Sequence, residues 1–187
     1  MERLKPTLPE EAETVLKFWF EEITPDQWWR SNELDDVIRN RFLPTLEELK
    51  ETVPVPWLET PKVSLAAIIV LDQFPRNIFR NQARSFATDA KALAVSFQSI
   101  ENGFDKALGQ NENIFLYMPL QHSEDLAHQE QSVRLYEKLG SKPSFESAKL
   151  HRDIIKKFGR FPHRNNILNR TTTQEEQEFL NEGALFW

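Results

Sequence analysis

Cysteine is absent from the 187-residue sequence, and glycine occurs only five times. Without cysteine, the chain has no disulfide framework, no thiol nucleophile and no cysteine-ligated metal or iron–sulfur centre. It also lacks a glycine-rich phosphate loop and a nucleophile elbow, which excludes the commoner catalytic frameworks. A metal site, an acid–base site and a site that only binds a ligand all remain open.

A surplus of basic charge and a long apolar segment are missing as well. The net charge is −6 and the isoelectric point is near 5.3, so the chain lacks the basic footprint of a nucleic-acid-binding protein. The longest apolar run, Leu65 to Leu71, is far too short to span a membrane, and the polar N-terminus has no apolar signal core. We therefore expect a cytoplasmic protein without nucleic-acid or membrane partners.

Apolar residues recur at helical spacing along most of the chain, and almost no segment has the alternation of a strand. The apolar content of 40% suffices for one domain with a core, so we predict a single helical domain over residues 1–187. Residues 61–74 are apolar nearly all round, which predicts a central helix. This pattern favours an all-α fold, an antiparallel helical-hairpin stack.

Prolines and capping residues predict where the helices begin and end. Pro44 is expected to kink or split a helix, while Pro75 and Pro119 are expected to end two others. Gly140 and Gly159 suit the position just after a helix C-terminus. Expected N-terminal caps are Thr60, Thr88, Ser123, Ser144 and Thr173.

The segment LDQFPRNIFR, residues 71–80, places charged side chains directly after the most apolar part of the sequence. Asp72, Arg76 and Arg80 are interleaved here with phenylalanine and isoleucine. Ending a helix requires none of these charges, so we interpret the three residues as ligand-binding candidates. We predict that they face the segment around His122.

The segment YMPLQHSEDLAHQE combines a histidine with two carboxylates. His122 with Glu124 and Asp125 is a candidate catalytic set for proton transfer, or part of a site for a divalent metal. An alternative stays open, because a cap followed by acidic residues stabilises a helix N-terminus without any substrate. The spacing is no established metal signature, so a metal is left unassigned.

The segment HRDIIKKFGRFPHRN belongs to the most basic part of the chain, since residues 149–170 contain seven basic side chains and one acidic one. Arg160, His163 and Arg164 surround a Phe-Pro turn, and we interpret them as ligand-binding candidates because arginine grips carboxylates and phosphates in a bidentate manner. A buried ion-pair network is the open alternative. His151 lies on an apolar helical face, which favours a hydrogen-bonded core histidine.

A weak internal echo links two of these segments. Phe74 to Asn77 reads Phe-Pro-Arg-Asn, and Phe161 to Asn165 reads Phe-Pro-His-Arg-Asn, each after a predicted helix. Such an echo suits paired helices, although no clean repeat of about 34 residues is visible.

The tryptophan residues mostly suit a core. Trp28 and Trp29 are adjacent and cannot both point inward, so one of them is expected to line a groove or meet a partner.

These motifs together resemble a known bacterial family. VLKFWFEE, LDQFPRNIFR, PLQHSEDLAHQEQSV and KFGRFPHRNNILNR occur in this order, and the resemblance to the family called domain of unknown function 924 runs from about residue 13 to FLNEG. The resemblance implies a tetratricopeptide-like helical fold and implies no reaction. Gln121 stands where the family usually has methionine, which leaves the residues from His122 to Asp125 intact.

Three functions remain open from the sequence. The favoured hypothesis is a binding module whose arginine-, aromatic- and histidine-lined groove receives an acidic peptide or a small anionic molecule. The second is a hydrolase-type enzyme that uses His122 with Glu124 or Asp125 and needs no organic cofactor. The third is a structural or oligomerisation protein, in which every polar motif belongs to a helix-end network.

Overall fold

The computed structural model describes residues 9–28 and 32–183, and within these ranges the chain forms helices and no β-strand. The predicted all-α class is therefore confirmed. The helices are α1 (Glu10–Lys17), α2 (Asn32–Glu51), α3 (Pro61–Ile68), α4 (Phe74–Ile78), α5 (Asp89–Glu101), α6 (Gln110–His122), α7 (Leu126–Leu139), α8 (Lys142–Phe158) and α9 (Gln174–Asn181). None of the helices in the described ranges is long and apolar enough to cross a membrane.

Helices that follow one another in the chain pack together in space. Three residues join α6 to α7 and two join α7 to α8, and both pairs are in contact, as expected for antiparallel hairpins with short connections. The result is a helical stack, and the finer likeness to tetratricopeptide proteins stays a prediction. Helix α3 lies in the middle and contacts α1, α5 and α6. Residues 63–75 are all buried, which confirms the central position predicted from their apolar character.

Aromatic rings tie the first helices to this central element. Phe42 of α2 stacks on Phe74 of α4 with ring centroids 4.7 Å apart, and Phe18 lies 5.0 Å from Phe42. Trp19 is buried against Phe74 and against Phe115 of α6, at 5.7 and 5.5 Å. These ring contacts bury large apolar surfaces, so they fix the first helices and α6 around the start of α4.

The tryptophan residues mostly belong to this core. Trp19 and Trp57 are buried, and Trp28 packs against the core while its indole N–H donates a hydrogen bond of 2.7 Å to the Trp19 carbonyl. Trp29, the other residue of the predicted exposed pair, lies outside the described residues. The expectation that Trp28 or Trp29 lines a groove or meets a partner therefore stays a prediction.

A π-helical turn over Ile69–Gln73 joins α3 to α4, and Pro75 lies in the first turn of α4. The prediction that Pro75 ends the helix is wrong, because the helical path continues to Ile78. Proline has no N–H to donate to the carbonyl four residues earlier, which is that of Leu71. The Thr88 hydroxyl donates to this carbonyl at 2.5 Å, so a side chain from α5's start satisfies the backbone at the turn.

Two further prolines lie inside helices, so the predicted helix end at Pro119 is wrong and Pro44 does not split its helix. The predicted kink at Pro44 stays a prediction. Helix α2 continues past Pro44 to its end, and α6 continues past Pro119. A proline costs a helix roughly 3 kcal/mol, but a buried apolar side chain contributes about 1.5–3 kcal/mol. Helix α6 buries Phe115, Leu116 and Leu120 together, and this burial outweighs the loss of one backbone hydrogen bond.

Several predicted helix ends are confirmed by their geometry. The Thr60 and Thr173 hydroxyls accept hydrogen bonds from backbone amides in the first turns of α3 and α9. Gly140 and Gly159 follow α7 and α8 with φ values of 74° and 69°. This left-handed backbone is strained for residues with a side chain, so glycine is the residue that ends these helices here.

The predicted caps at Ser123 and Ser144 are wrong. Helix α6 extends to His122, so Ser123 follows its C-terminus, and the Asp125 carboxylate caps α7 by accepting bonds of 2.7 and 3.3 Å from two backbone amides. Helix α8 begins earlier than predicted, after Ser141, because the proline in its first turn suits that position. Aspartate is as good an N-cap as serine, so composition did not distinguish the neighbouring candidates.

Candidate functional site

The fold brings the three sequence segments together at one place, which we call the polar centre: Asp72, Arg76, Asp89, His122 and Arg164. Asp72 comes from the π-helical turn, Arg76 from α4, Asp89 from the start of α5 and His122 from the end of α6. Arg164 ends a short 3₁₀ turn, Pro162–Arg164. Direct contacts connect all five residues.

Asp72 is the innermost member of the polar centre and has no exposed surface. Its Oδ1 atom lies 2.9 Å from Nδ1 of His122, and Gln73 donates to its Oδ2 at 2.5 Å. Burial alone would raise the pKa of Asp72, but the Arg76 guanidinium and His122 together hold it below its usual range. An ionised carboxylate only accepts hydrogen bonds, so the neutral His122 ring carries its proton on Nδ1 and leaves a lone pair on Nε2.

Asp89 connects the two arginines of the internal echo. Arg76 makes a bidentate pair with Asp89 at 2.9 and 3.0 Å, and Nη1 of Arg164 lies 3.7 Å from Oδ2 of the same carboxylate. The Arg76 guanidinium also donates to the backbone carbonyl of Asp72 at 2.5 Å. Burial lowers the pKa of Arg76, but Asp72 and Asp89 more than compensate, so its pKa is raised and its charge is firmly held.

Arg164 has fewer hydrogen-bond and ion-pair partners than Arg76. Its guanidinium lies between the rings of Phe86 and Phe161, at 4.6 and 4.5 Å from the centroids, and donates to the His122 carbonyl at 3.0 Å. Its side chain is only 8% exposed, and the buried Nε atom has no hydrogen-bond partner among the described residues. Burial and the neighbouring charge of Arg76 lower the pKa of Arg164 to about 10, so it remains a cation at neutral pH.

Two more histidines lie beside the polar centre, on the ring of Phe161. His151 and His163 contact this ring at centroid distances of 5.5 and 5.6 Å. Burial lowers the pKa of His151 to about 4, although its Nδ1 lies 2.8 Å from the Ser147 carbonyl. Burial and the charge of Arg164 lower the pKa of His163 to about 3. Both imidazoles are therefore neutral at neutral pH, and His151 is the hydrogen-bonded, mostly buried histidine that its apolar face predicts.

The carboxylate bonded to His122 is Asp72, which corrects the expected pairing with Glu124 or Asp125. Glu124 accepts two hydrogen bonds from Arg170, at 2.7 and 3.0 Å, and one from the Phe161 amide at 2.8 Å. These bonds fix the segment that carries Arg164. The Asp125 carboxylate is occupied in capping α7 and is exposed.

Two of the predicted ligand-binding arginines bond outside the polar centre. Arg80 makes a bidentate pair with Asp35 of α2, at 2.7 and 2.8 Å, and is exposed. Arg160 makes a bidentate pair with the buried Glu176 of α9, at 2.6 and 2.8 Å. Each pair joins a loop that follows one helix to another helix, so the predicted gathering of four arginines is reduced to Arg76 and Arg164.

No group of three or more histidine and carboxylate side chains in the described ranges has the arrangement to hold a metal ion. A cavity of about 490 Å³ lies elsewhere on the surface, beside Phe20, Pro25, Trp28 and the start of α6 at Gly109–Glu112. Among the described residues that line it, none is a histidine or an arginine. Four of the five residues of the polar centre, Asp72, Arg76, His122 and Arg164, have shifted pKa values and contact one another, so we place the candidate site there.

Comparison with known proteins agrees with this fold. The sequence matches a family described as bacterial protein of unknown function, DUF924, over residues 15–184. The chain belongs to this family. A solved structure of a protein of unknown function from Agrobacterium tumefaciens is 38% identical and has a TM-score of 0.87, with 91% of this chain and 97% of that one covered. No curated protein matches the sequence.

In this DUF924 chain, the residue that the sequence did not reveal as part of the site is Asp89. Thr88 and Asp89 together have the composition of a helix start, in which the acidic residue serves the helix dipole. Thr88 instead donates its hydroxyl to the Leu71 carbonyl and makes no capping bond. The Asp89 carboxylate binds Arg76 and Arg164. No local pattern distinguishes these two roles.

Proposed function

We propose that the polar centre binds a small molecule that carries a carboxylate or phosphate group. The observation that supports this most is the incomplete pairing of Arg164, a buried guanidinium whose Nε atom has no hydrogen-bond partner within residues 9–28 and 32–183. Buried polar groups in proteins nearly always have a partner, and exceptions deserve a functional explanation. An anionic ligand supplies the missing acceptor and the missing charge.

Arg76 and Arg164 differ in the number of carboxylates that compensate their positive charge. Arg76 contacts two carboxylates, those of Asp72 and Asp89. Arg164 has one carboxylate at 3.7 Å and one backbone carbonyl at 3.0 Å, and its lowered pKa indicates that its charge is poorly compensated. A guanidinium presents five N–H donors in a planar fork that matches carboxylate and phosphate oxygens, so it suits such a ligand.

The burial of the polar centre favours a small anion over an extended acidic peptide. Asp72 has no exposed surface, and the side chains of His122 and Arg76 are 16% and 22% exposed. A peptide groove needs a row of exposed side chains or an unpaired backbone edge. We therefore favour a compact anion, or the anionic end of a larger molecule, over a peptide as the ligand.

Isothermal titration calorimetry with inorganic phosphate, sulfate and a short acidic peptide tests the proposal. Arg164→Gln should weaken phosphate or sulfate binding by at least about tenfold, because a hydrogen bond to a charged group contributes about 1.5–3 kcal/mol. Arg80→Gln is the matched control, since it removes the same charge from an arginine bonded to Asp35, and it should leave binding unchanged. Arg164→Lys, which keeps the charge, provides a second variant if Arg164→Gln unfolds.

Three results would overturn the proposal: no binding of any anion, equal loss in Arg164→Gln and Arg80→Gln, or tight binding of the peptide alone. The first result would favour a purely structural role for the ion pairs, as in the third hypothesis from the sequence. Tight binding of the peptide alone would favour the acidic-peptide hypothesis. Thermal unfolding of each variant, measured in parallel, separates a lost ligand contact from a lost fold.

Acid–base catalysis on the bound anion is a second candidate function, supported by the contact between Asp72 and His122. A buried carboxylate on Nδ1 orients the imidazole and leaves Nε2 to accept or return a proton, which is the arrangement a general base requires. Turnover of p-nitrophenyl phosphate and p-nitrophenyl acetate by the wild type, lost in His122→Gln and retained in His128→Gln, would support a hydrolase. Equal rates in all three proteins would count against it.

A further inference from the structure

His122 stands between groups of opposite charge. Its Nδ1 atom is bonded to the Asp72 carboxylate, while the guanidinium of Arg76 lies next to the same carboxylate and that of Arg164 is bonded to the His122 backbone. Burial and the charge of Arg76 lower the pKa of His122, and the attraction of Asp72 is too weak to reverse this. The ring is therefore neutral, and an additional negative charge nearby would favour its protonation.

Groups from every neighbouring element influence whether this ring is protonated. The carboxylates favour protonation of the ring and the guanidiniums oppose it, while the neighbouring imidazoles are neutral. The groups concerned are Asp72 of the π-helical turn, Arg76 of α4, Asp89 of α5, His151 of α8, and His163 and Arg164 of the 3₁₀ turn.

We infer that binding of an anion at the polar centre is coupled to the uptake of one proton by Nε2 of His122. This inference rests on the proposed function and adds a pH dependence to it. The anion offsets the charges of Arg76 and Arg164, which oppose protonation, while Asp72 remains bonded to Nδ1 and stabilises the imidazolium. The new proton on Nε2 gives the ring a second N–H donor.

Among the three histidines near the polar centre, the contacts select His122 as the proton acceptor. Its ring nitrogen is bonded directly to a carboxylate, whereas the Nδ1 atom of His151 lies beside the Ser147 carbonyl and the Gln121 amide. His163 is adjacent in sequence to Arg164, and the guanidinium of that residue opposes its protonation. A carboxylate partner stabilises an imidazolium more strongly than a neutral carbonyl does.

Linkage gives the sign of the effect. The ligand-free protein has a neutral His122 at neutral pH, and the bound protein has a protonated one, so acidification favours the bound state. Affinity should rise as the pH falls through the pKa of the bound state and should level off below the pKa of the free state. The steepest part of this curve is about tenfold in Kd per pH unit for one proton.

Calorimetry with sulfate measures this coupling directly, because sulfate stays a dianion between about pH 5.5 and 8, the range in which histidine titrates. Titrations in two buffers of different ionisation enthalpy give the number of protons taken up. We expect an uptake approaching one proton and a Kd that falls at least about threefold for each unit of acidification within that range.

Histidine NMR identifies the group that accepts the proton. The chain has four histidines, so the ring signals are assigned from single His→Gln variants, and His122 is found by elimination if its own variant does not fold. Addition of sulfate at neutral pH should move the His122 signals from neutral imidazole values toward imidazolium values. His128, which is bonded to Ser123, should not respond.

The outcomes separate this inference from the proposed function. Sulfate binding without proton uptake, or uptake that persists in His122→Gln, overturns the inference and leaves anion binding intact. A complete lack of anion binding overturns both. Loss of the pH dependence in His122→Gln, with His128→Gln behaving like the wild type, supports both.

Discussion

Nδ1 of His122 lies 2.9 Å from Oδ1 of Asp72, although 50 residues separate them in the chain. This contact joins the end of α6 to the π-helical turn of the central helical segment, at a point where the carboxylate is fully buried. A buried charge is stable only when its partners remain in place, since the isolated ion would be strongly disfavoured outside water. The contact therefore makes the fold sensitive to single changes at the polar centre.

Asp72→Asn should destabilise the protein strongly. The substitution keeps the shape of the side chain but removes the charge that balances Arg76 and bonds to His122. Breaking a buried ion pair on one side typically costs about 3–5 kcal/mol, and urea unfolding monitored by circular dichroism measures this change. Asp153→Asn is the control, because Asp153 is exposed and its substitution should change the free energy of unfolding by no more than about 0.5 kcal/mol. Similar values for the two variants would contradict the central role of Asp72.

Mild acid should destabilise the protein through its buried histidines. The pKa of His151 is about 4 and that of His163 about 3, whereas an unfolded histidine titrates near 6.5. Between about pH 6.5 and 3 the unfolded chain binds more protons than the folded one, so stability is complete above this window and is lost as the pH falls through it. The lowered pKa of Asp72 places its own loss of stability at still lower pH.

His151→Gln is the variant that tests this pH dependence. A shift from about 6.5 to about 4 corresponds to roughly 3 kcal/mol at most, so the variant's unfolding free energy should fall less between about pH 7 and 4.5 than that of the wild type. His128→Gln should keep the wild-type dependence. Parallel curves for His151→Gln and the wild type would show that the burial of His151 contributes nothing to acid sensitivity.

Asp125 is expected to affect stability and to leave anion binding unchanged. Its carboxylate caps α7, so Asp125→Ala should lower the free energy of unfolding by about 1 kcal/mol, while Asp125→Ser should recover most of the loss because serine is also a good N-cap. Urea unfolding and calorimetry with sulfate measure the two properties separately. A loss of sulfate binding in both variants would return Asp125 to the catalytic set predicted from the sequence.

The parts of the fold that depend on apolar periodicity were predictable from the sequence. Residues 61–74 are apolar nearly all round, and the helix they form lies at the centre of the stack. Asp72 and Arg76 lie at the C-terminal end of this segment, and His122 and Arg164 lie near the ends of other predicted helices. The prediction that Asp72 and Arg76 face the His122 segment rests on this pattern.

The partner of each charge was not predictable in the same way. Arg76 pairs with Asp89, Arg170 with Glu124 and Arg160 with Glu176, and each pair depends on how separate helices pack. The π-helical turn was also not predictable from the sequence, because it changes the local helical register without interrupting the apolar run. That change, together with the tolerated proline, gives Asp72 its buried position.

The hydrogen bond from Thr88 to the Leu71 carbonyl should be essential to this turn. Thr88→Val keeps the shape of the side chain but leaves a buried carbonyl without its donor, which costs about 1–3 kcal/mol. Thr14→Val is the matched control, since the Thr14 hydroxyl also donates to a backbone carbonyl but is exposed, and the change should stay within about 0.5 kcal/mol.

Pro75→Ala provides the decisive partner for Thr88→Val in a double-mutant cycle. Alanine restores the N–H that proline lacks, and the Leu71 carbonyl is the acceptor four residues before it, so the backbone can replace the lost hydroxyl. Thr88→Val should therefore cost less, by about 1 kcal/mol, in the Pro75→Ala protein than in the wild type. Urea unfolding of the four proteins measures this coupling. Additive effects would show that the threonine hydroxyl does not replace the amide missing at Pro75, and that packing alone maintains the turn that buries Asp72.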